Sequence, residues 1–214
     1  MSNVRTVDPA IEPVSLAQVK EFGKLPETTL YDNTLTLMIT AAREHFELTT
    51  GLALIEQTWR MSLDNMPGAC SEEPWWDGVR EGAISELTPA RNWVELPTAP
   101  LRSVTTFQTF NEINVPALFT SFYTDLDSKP GRVILNFGAV WPTSLRPTGK
   151  YVITYKAGFG TVSENVPADI RLCISQLALH FNENPEALTF DTAAVKVPIH
   201  CERIMTRRKI KRIS

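Results

Sequence analysis

Residues 150–170 decide the fold, because KYVITYKAGFG at 150–160 is followed by a short polar link and then by VPADI at 166–170. The first half alternates between two sets of side chains, which predicts a strand. One face of that strand carries Tyr151, Ile153 and Tyr155, and the other carries Val152 and Thr154. Gly158 and Gly160 predict a tight turn, since glycine adopts backbone angles that side chains forbid. Pro167 predicts the start of a helix, where its missing N–H is not needed.

The composition is that of an ordinary globular protein, with 43% hydrophobic and 21% charged residues in a chain of 214. No apolar run approaches the roughly 18 residues of a membrane span, and the first residues lack the apolar core of a signal peptide. We therefore expect synthesis in the cytoplasm and no membrane partner. Cys70, Cys173 and Cys201 are odd in number and widely spaced, which does not indicate a disulfide framework.

Charge is distributed unevenly along the chain. The net charge is −3, yet residues 203–212 contain six bases and no acid, so the rest of the chain is strongly acidic. One interpretation is a solvated terminus. The other is a tail that docks on an acidic partner or on nucleic acid phosphates.

The order of periodicities predicts an α+β protein in which helices from both chain ends pack together, with an antiparallel β region inserted between them. Residues 1–14 are predicted to be an extended N-terminal arm. A main domain over 15–186 would have helical parts at 15–52 and 166–186 and a β insertion at 53–161. Residues 187–214 would form a C-terminal tail with a short basic helix.

Individual helices are marked by local signals. Ser15 and Gln18 form a capping box that opens a first helix ending near Gly23. A second helix, capped by Asp32 or Asn33, would end at Gly51 in the left-handed conformation. Two apolar stripes are predicted to pack on each other: Leu35, Met38, Ile39, Ala42 and Phe46 in the second helix, and Ile170, Cys173, Ile174, Leu177, Ala178 and Phe181 after Pro167.

The β insertion should contain strands at 55–63, 93–96, 104–110, 117–123, 132–137 and 151–157. Residues 64–92 read as a long loop rich in acids, proline and glycine. Adjacent exposed tryptophans are an aggregation risk unless they pack on something, so Trp75 and Trp76 in this loop are predicted to contact a neighbouring subunit.

The sequence does not predict a catalytic or metal-binding site. A metal site could be drawn from Cys173, His180, His200 and Cys201, but the spacing lacks a paired ligand motif, and Cys173 lies in an apolar stripe where cysteine behaves as a small hydrophobe. The sequence contains no Gly-x-Ser-x-Gly nucleophile elbow. We therefore expect no catalytic residues, no metal and no cofactor, which favours a role in assembly.

Several short segments together resemble the phage head–tail connector family of adaptor or head-completion proteins. They are EPVSLAQVK at 12–20, TGLALIEQTW at 50–59, ELP at 95–97, PLRSV at 100–104, PGRV at 130–133, WP at 141–142, YKAGFG at 155–160 and VPADIR at 166–171. Their order and spacing carry the resemblance, which covers residues 12–186. The family is defined by architecture, so no catalytic residue is carried over.

The resemblance implies a virion protein at the head–tail interface. Such connectors form a homo-oligomeric ring, usually twelve-fold, beneath the portal at the DNA exit vertex. The ring extends the DNA channel and presents a surface to a neck, stopper or tail protein, while DNA passes without sequence recognition. An acidic body fits this role, because like charges repel and DNA would not adhere to the channel wall.

In related connectors the C-terminal segment commonly reaches the portal, so the resemblance and the charge favour the same role for the tail. Val197-Pro198 would open its short helix, with Ile199, Ile204 and Met205 as apolar anchors. The residues predicted to bind the portal are Ile199, Arg203, Ile204, Met205, Arg207, Arg208, Lys209, Lys211 and Arg212.

Two other classes of function stay open at this stage. One is a β-rich carbohydrate-binding module in which Trp75, Trp76 and Trp93 are stacking platforms. The other is a hydrolase with an unrecognised site that uses His45 or His180.

Overall fold

The computed structural model describes residues 2–26, 28–66, 92–143, 145–184 and 198–210. The predictions that concern Trp75, Trp76, Lys211 and Arg212 lie outside the described residues, as does most of the predicted loop at 64–92.

The described residues form helices toward both ends of the chain, with seven of the eight described strands between them and β1 before the first helix, which confirms the α+β class. The helices are α1 (Leu16–Phe22), α2 (Asp32–Thr50), α3 (Ala168–Glu183) and α4 (Ile199–Arg208). The strands are β1 (Ser2–Val7), β2 (Gln57–Leu63), β3 (Trp93–Glu95), β4 (Leu101–Phe110), β5 (Pro116–Leu118), β6 (Phe122–Asp125), β7 (Arg132–Leu135) and β8 (Tyr151–Ala157). No described helix has the length and apolarity needed to span a membrane.

Two antiparallel sheets pack face to face. The larger has five strands in the order β1-β2-β8-β4-β5, and the smaller has three in the order β3-β7-β6. The strand predicted at 151–157 is β8, the central strand of the larger sheet, where Ile153 lies opposite Met61 on one side and Phe107 on the other. Of the two predicted faces, the one with Tyr151, Ile153 and Tyr155 is buried, in a core cluster shared with residues of both sheets.

A second core lies among the helices and confirms the predicted packing of α2 on α3. Leu35, Ile39, Ala42 and Phe46 of α2 and Ile170, Cys173, Ile174, Leu177 and Ala178 of α3 belong to one buried cluster, with Met38 and Phe181 partly buried against it. α4 adds Cys201, Ile204 and Met205 to the same cluster. The helical core is therefore built from residues far apart in sequence.

Local signals in the sequence account for most helix ends. The capping box is present: the Ser15 hydroxyl accepts a hydrogen bond from the Gln18 N–H at 3.3 Å, and the Gln18 side chain accepts one from the Ser15 N–H at 3.0 Å. Gly51 ends α2 with φ of 76°. The predicted cap of α2 is wrong, because Tyr31 is the N-cap and makes no side-chain capping bond. Asp32 is the first helical residue, and its carboxylate pairs with Lys20.

The turn after β8 needs glycine because two backbones approach closely there. Gly158 has φ of 143°, and a Cβ at this position would lie 2.6 Å from the carbonyl carbon of Ile55. The Phe159 N–H donates to the Leu54 carbonyl at 3.2 Å, and the Glu56 N–H donates to the Gly160 carbonyl at 2.8 Å. The turn is thus joined to the segment that connects α2 to β2.

Two segments differ from the sequence prediction. The segment predicted to be an extended arm contributes β1, which pairs with β2 from Ser2 opposite Ser62 to Val7 opposite Thr58 and so covers an edge that would otherwise be open. The single strand predicted at 117–123 is divided between β5 and β6, which belong to different sheets. A pattern of period two does not indicate where a chain crosses from one sheet to the other.

Leu177→Ala is expected to lower the free energy of unfolding by about 2–5 kcal/mol, because it removes buried methyl groups from a packed core. Leu177 is fully buried in the helical core. Urea denaturation of both proteins measures the difference. Leu48→Ala is the matched control: Leu48 is 86% exposed, and its loss should change stability by less than about 0.5 kcal/mol. An unchanged midpoint for Leu177→Ala would contradict the assignment of this stripe.

Candidate interaction surfaces

A buried carboxylate lies where the helical core meets the sheets. Glu47, in the last turn of α2, is 8% exposed. Its Oε1 accepts hydrogen bonds from the Leu54 N–H at 2.9 Å and the Gln57 Nε2 at 2.7 Å. Its Oε2 pairs with Arg43 Nη1 at 3.0 Å. One side chain therefore fixes the end of α2 to the connecting segment and to the first residue of β2.

The same network reaches the N-terminal segment. Arg43 is 3% exposed, and its Nε donates to Glu12 Oε2 at 2.8 Å. On the surface side, Nη2 of Arg5 in β1 pairs with Glu44 Oε1 at 3.0 Å. β1 and residue 12 are thus held against α2 by ion pairs.

Burial sets the protonation behaviour of this network. Burial raises the pKa of Glu47, while the Leu54 N–H and the charge of Arg43 act in the opposite direction. Burial also opposes the charge of Arg43, but its hydrogen bond to Glu12 and the charges of Glu47 and Glu12 prevail and raise its pKa. Arg43 is therefore held as a cation by two carboxylates.

Sequence reasoning missed these residues. Arg43 and Glu47 each follow a residue of the buried stripe, Ala42 and Phe46, and are spaced four apart. Opposite charges at that spacing are neighbours on a helix surface. The position of Arg43 and Glu47 beside the apolar stripe therefore could have indicated an ion pair at the edge of the core.

A cleft of about 400 Å³ opens beside the network, between β1 and the end of α2. Its lining includes Asn3, Arg5, Glu44, Leu48, Trp59 and Thr98. Leu48 projects into solvent at its rim. Charged groups that are already paired, beside apolar side chains, are typical of a contact surface.

The basic helix α4 has two faces. Ile204 and Met205 are buried in the helical core, whereas Ile199, predicted to be a third anchor, is 66% exposed. The anchor that the sequence missed is Cys201, which is fully buried. α4 is therefore anchored on its own chain by Cys201, Ile204 and Met205.

The bases in and just after α4 also differ in whether they have a partner within the chain. Arg208 is already paired, with its Nη2 at 2.9 Å from Asp169 Oδ2. Arg203, Arg207 and Lys209 are exposed. Of the predicted portal-binding residues within the described part of the chain, these three bases and Ile199 are presented to solvent.

A second exposed surface lies at the far end of the sheets. β4 begins at Leu101, two residues after Ala99, whose N–H donates a hydrogen bond to the Gly51 carbonyl at the end of α2. From there its 10 residues lead away from the helices. Around this end of β4, strand β5 and the connecting segments expose large apolar side chains. They are Ile113 at 80%, Leu118 at 69% and Val140 at 80%, together with a fully exposed Phe137. Large exposed apolar side chains are candidates for protein contact where they form one patch.

Of the candidate metal ligands, Cys173 and Cys201 lie close together, and Nδ1 of His200 lies 3.4 Å from Oε1 of Gln176. Among the described residues, no group of three His, Cys, Asp or Glu side chains is arranged to hold a metal ion. Cys173 is buried in the apolar core, as its place in the stripe predicted. The His45 ring faces Phe181 at 6.3 Å between centroids, and His180 lies beside Asn184. The two histidines named for a hydrolase thus contact phenylalanine and asparagine side chains.

Trp93, the described member of the proposed stacking platform, is covered on one face. The guanidinium carbon of Arg132 lies 4.7 Å from the centre of its ring. A sugar stacking on that face would have to displace the cation.

No known protein family matches this chain, and a search of curated proteins found no match. Solved structures do match over essentially the whole length. A chain from the neck of an empty gene transfer agent particle, computed with C6 symmetry, is 22% identical with a TM-score of 0.75, covering 100% of this chain and 98% of that one. A chain from the virion of the native particle is 21% identical with a TM-score of 0.72 and the same coverage.

A third match is a chain from the neck of the native particle, computed with C12 symmetry. It is 22% identical with a TM-score of 0.70, again covering 100% of this chain and 98% of that one. The protein therefore has the fold of a chain found in gene transfer agent particles and their necks.

Glu47→Gln is expected to destabilise the protein by about 3 kcal/mol, because it removes one partner of a buried ion pair without changing side-chain size. Glu44→Gln is the matched control, since Glu44 is 45% exposed and its pair with Arg5 should contribute no more than about 1 kcal/mol. Chemical denaturation measures both. Equal effects of the two substitutions would contradict a special role for the buried carboxylate.

Proposed function

We propose that this protein is a structural component of a virion neck, an adaptor that joins the head to the tail. The observation that carries the proposal is the match, over 100% of the chain, to chains from the necks of gene transfer agent particles. The sequence resemblance to head–tail connectors supports the same role independently. No specific observation favours the carbohydrate-binding or hydrolase alternatives.

The functional form in this proposal is a ring of identical copies, twelve-fold as is usual for connectors. Support comes from the C6 and C12 symmetry with which the matching necks were computed. A ring needs a heterologous contact, in which one face of a copy meets a different face of the next. The cleft beside Leu48 and the exposed apolar tip around Phe137 are different surfaces on one chain and are candidates for such contacts. Trp75 and Trp76 remain candidates as well.

The two ends of the molecule have different partners in this proposal. The helical end carries the exposed bases of α4 and faces the portal. The apolar tip of the sheets faces a neck, stopper or tail protein. DNA passes through the ring without sequence recognition, and the acidic surplus of the chain limits its adhesion. The protein is located at the head–tail interface of the virion.

Native mass spectrometry of the chain, alone and with purified portal, tests the ring. The free chain is expected to be monomeric, and mixing with the portal should yield a complex with twelve copies, visible as a ring by electron microscopy. The portal acts as a template because contacts between loops do not suffice to close a ring in solution. A chain that stays monomeric with the portal present would overturn the proposal.

Neutralising the exposed bases tests the portal-facing end. The triple variant Arg203→Gln/Arg207→Gln/Lys209→Gln should weaken attachment to the portal roughly tenfold, since each exposed charge contact contributes about 0.2–1 kcal/mol. Salt should reduce the difference from the wild type. Point substitutions are preferred to truncation at Val197, because truncation would remove Cys201, Ile204 and Met205 from the helical core.

The matched control removes three exposed bases elsewhere, as Lys24→Gln/Arg60→Gln/Lys129→Gln. It changes net charge equally and should leave portal attachment unaltered. Retention on DNA is measured in parallel. Full portal binding by the α4 variant would rule out this docking role, and loss of DNA retention alone would favour contact with DNA in the channel.

A further inference from the structure

Two cysteines meet where α4 packs on α3. Cys173 of α3 and Cys201 of α4 are both fully buried. The Sγ of Cys201 lies 3.5 Å from the carbonyl oxygen of Cys173 and 3.3 Å from Oε1 of Gln176, one turn further along α3. The two thiols are therefore neighbours across a contact between segments that are 28 residues apart in sequence.

We propose that Cys173 and Cys201 are a site of reversible oxidation, at which an intramolecular disulfide fastens α4 to α3. The oxidant is a low-molecular-weight disulfide such as glutathione disulfide. The Cys201 thiolate attacks one of its sulfur atoms and releases one glutathione thiolate, leaving a mixed disulfide. The Cys173 thiolate then attacks Sγ of Cys201 and releases the second glutathione. Two protein thiols lose two electrons and two protons, which reduce the external disulfide to two thiols.

The pair is protected while α4 is docked. Both thiols are fully buried, so glutathione disulfide cannot reach either of them. The hydrogen bond between them raises the pKa of Cys173 and lowers the pKa of Cys201, which agrees with Cys201 as the thiol that attacks first. Reaction therefore requires α4 to leave α3. α4 is a helix of 10 residues, and short segments at the edge of a core open with a smaller free energy than the whole domain.

Few contacts oppose that opening. Besides Cys201, the helix buries Ile204 and Met205. Arg208 pairs with Asp169 at the surface, and the Ile210 N–H donates to the Thr50 carbonyl at 2.9 Å. Once both thiols are exposed together, their proximity favours an internal disulfide over capture of separate small molecules.

Oxidation would change the behaviour of the surface that α4 carries. The disulfide closes the chain between residues 173 and 201, so the open state of α4 loses conformational freedom. Arg203, Arg207 and Lys209 would then be held permanently in the orientation seen here. The inference concerns the chain itself and does not depend on the proposed place in a virion neck.

The test uses the full chain with Cys70→Ser, because Cys70 is a third thiol that lies outside the described residues. The protein is incubated with glutathione disulfide and analysed by intact mass without reductant and by thiol titration. We expect loss of both thiols, no adduct and no dimer. The matched variant Cys70→Ser/Cys173→Ser should instead retain one glutathione on Cys201.

Hydrogen exchange provides the second readout. Oxidation should slow exchange of the α4 amides at least about tenfold, and a dithiol reductant should reverse the change. If the native protein does not react, the incubation is repeated in urea just below the unfolding transition, where α4 opens more often. Glutathione adducts on both cysteines, intermolecular dimers, or two free thiols persisting in urea would each overturn the proposal.

Discussion

The carboxylate of Glu47 joins the helical half of the molecule to the sheets. It accepts from the backbone of Leu54 and the side chain of Gln57 and pairs with Arg43, all near the end of α2. A buried carboxylate without these donors would cost several kcal/mol of desolvation, so the connecting segment can occupy few other positions. Backbone hydrogen bonds at Leu54 and Glu56 join that segment to the glycine turn after β8. Polar contacts therefore link the helices to the sheets at this junction, while apolar packing stabilises each half.

The two cores give the molecule two ends of different character. At one end, α2, α3 and α4 enclose an apolar cluster and present paired and unpaired charges to solvent. At the other, the sheets end in segments whose large apolar side chains have no covering layer among the described residues. The proposed adaptor, which contacts unlike partners above and below it, would use this kind of polarity.

α4 illustrates how one short helix can serve stability and contact together. Its inward face contributes Cys201, Ile204 and Met205 to the core, and its outward face carries Arg203 and Arg207. Because Ile204 and Met205 are already buried within the chain, the exposed bases and Ile199 are the parts of α4 left for a partner. Electrostatic contacts speed encounter and set orientation more than they add affinity. Tight attachment would therefore need further surfaces beside the helix.

The sequence by itself determined the α+β class, the two apolar stripes of α2 and α3, the capping box at Ser15, the left-handed Gly51 and the alternation of side chains along β8. These follow from local periodicity and from backbone preferences, which neighbouring residues settle among themselves. It also indicated the resemblance to connectors, through motifs in order along the chain.

Other features were decided only when distant segments met. The pairing of β1 with β2, the separation of β5 from β6 into different sheets and the position of β8 at the centre of a sheet all depend on long-range hydrogen bonds. The same holds for Glu47, whose burial depends on Leu54 and Gln57 folding back, and for Cys201, whose burial depends on α3. The local sequence shows which residues are apolar or charged. Whether such a residue is buried depends on segments distant in the chain, because burial results from contacts formed in the folded protein.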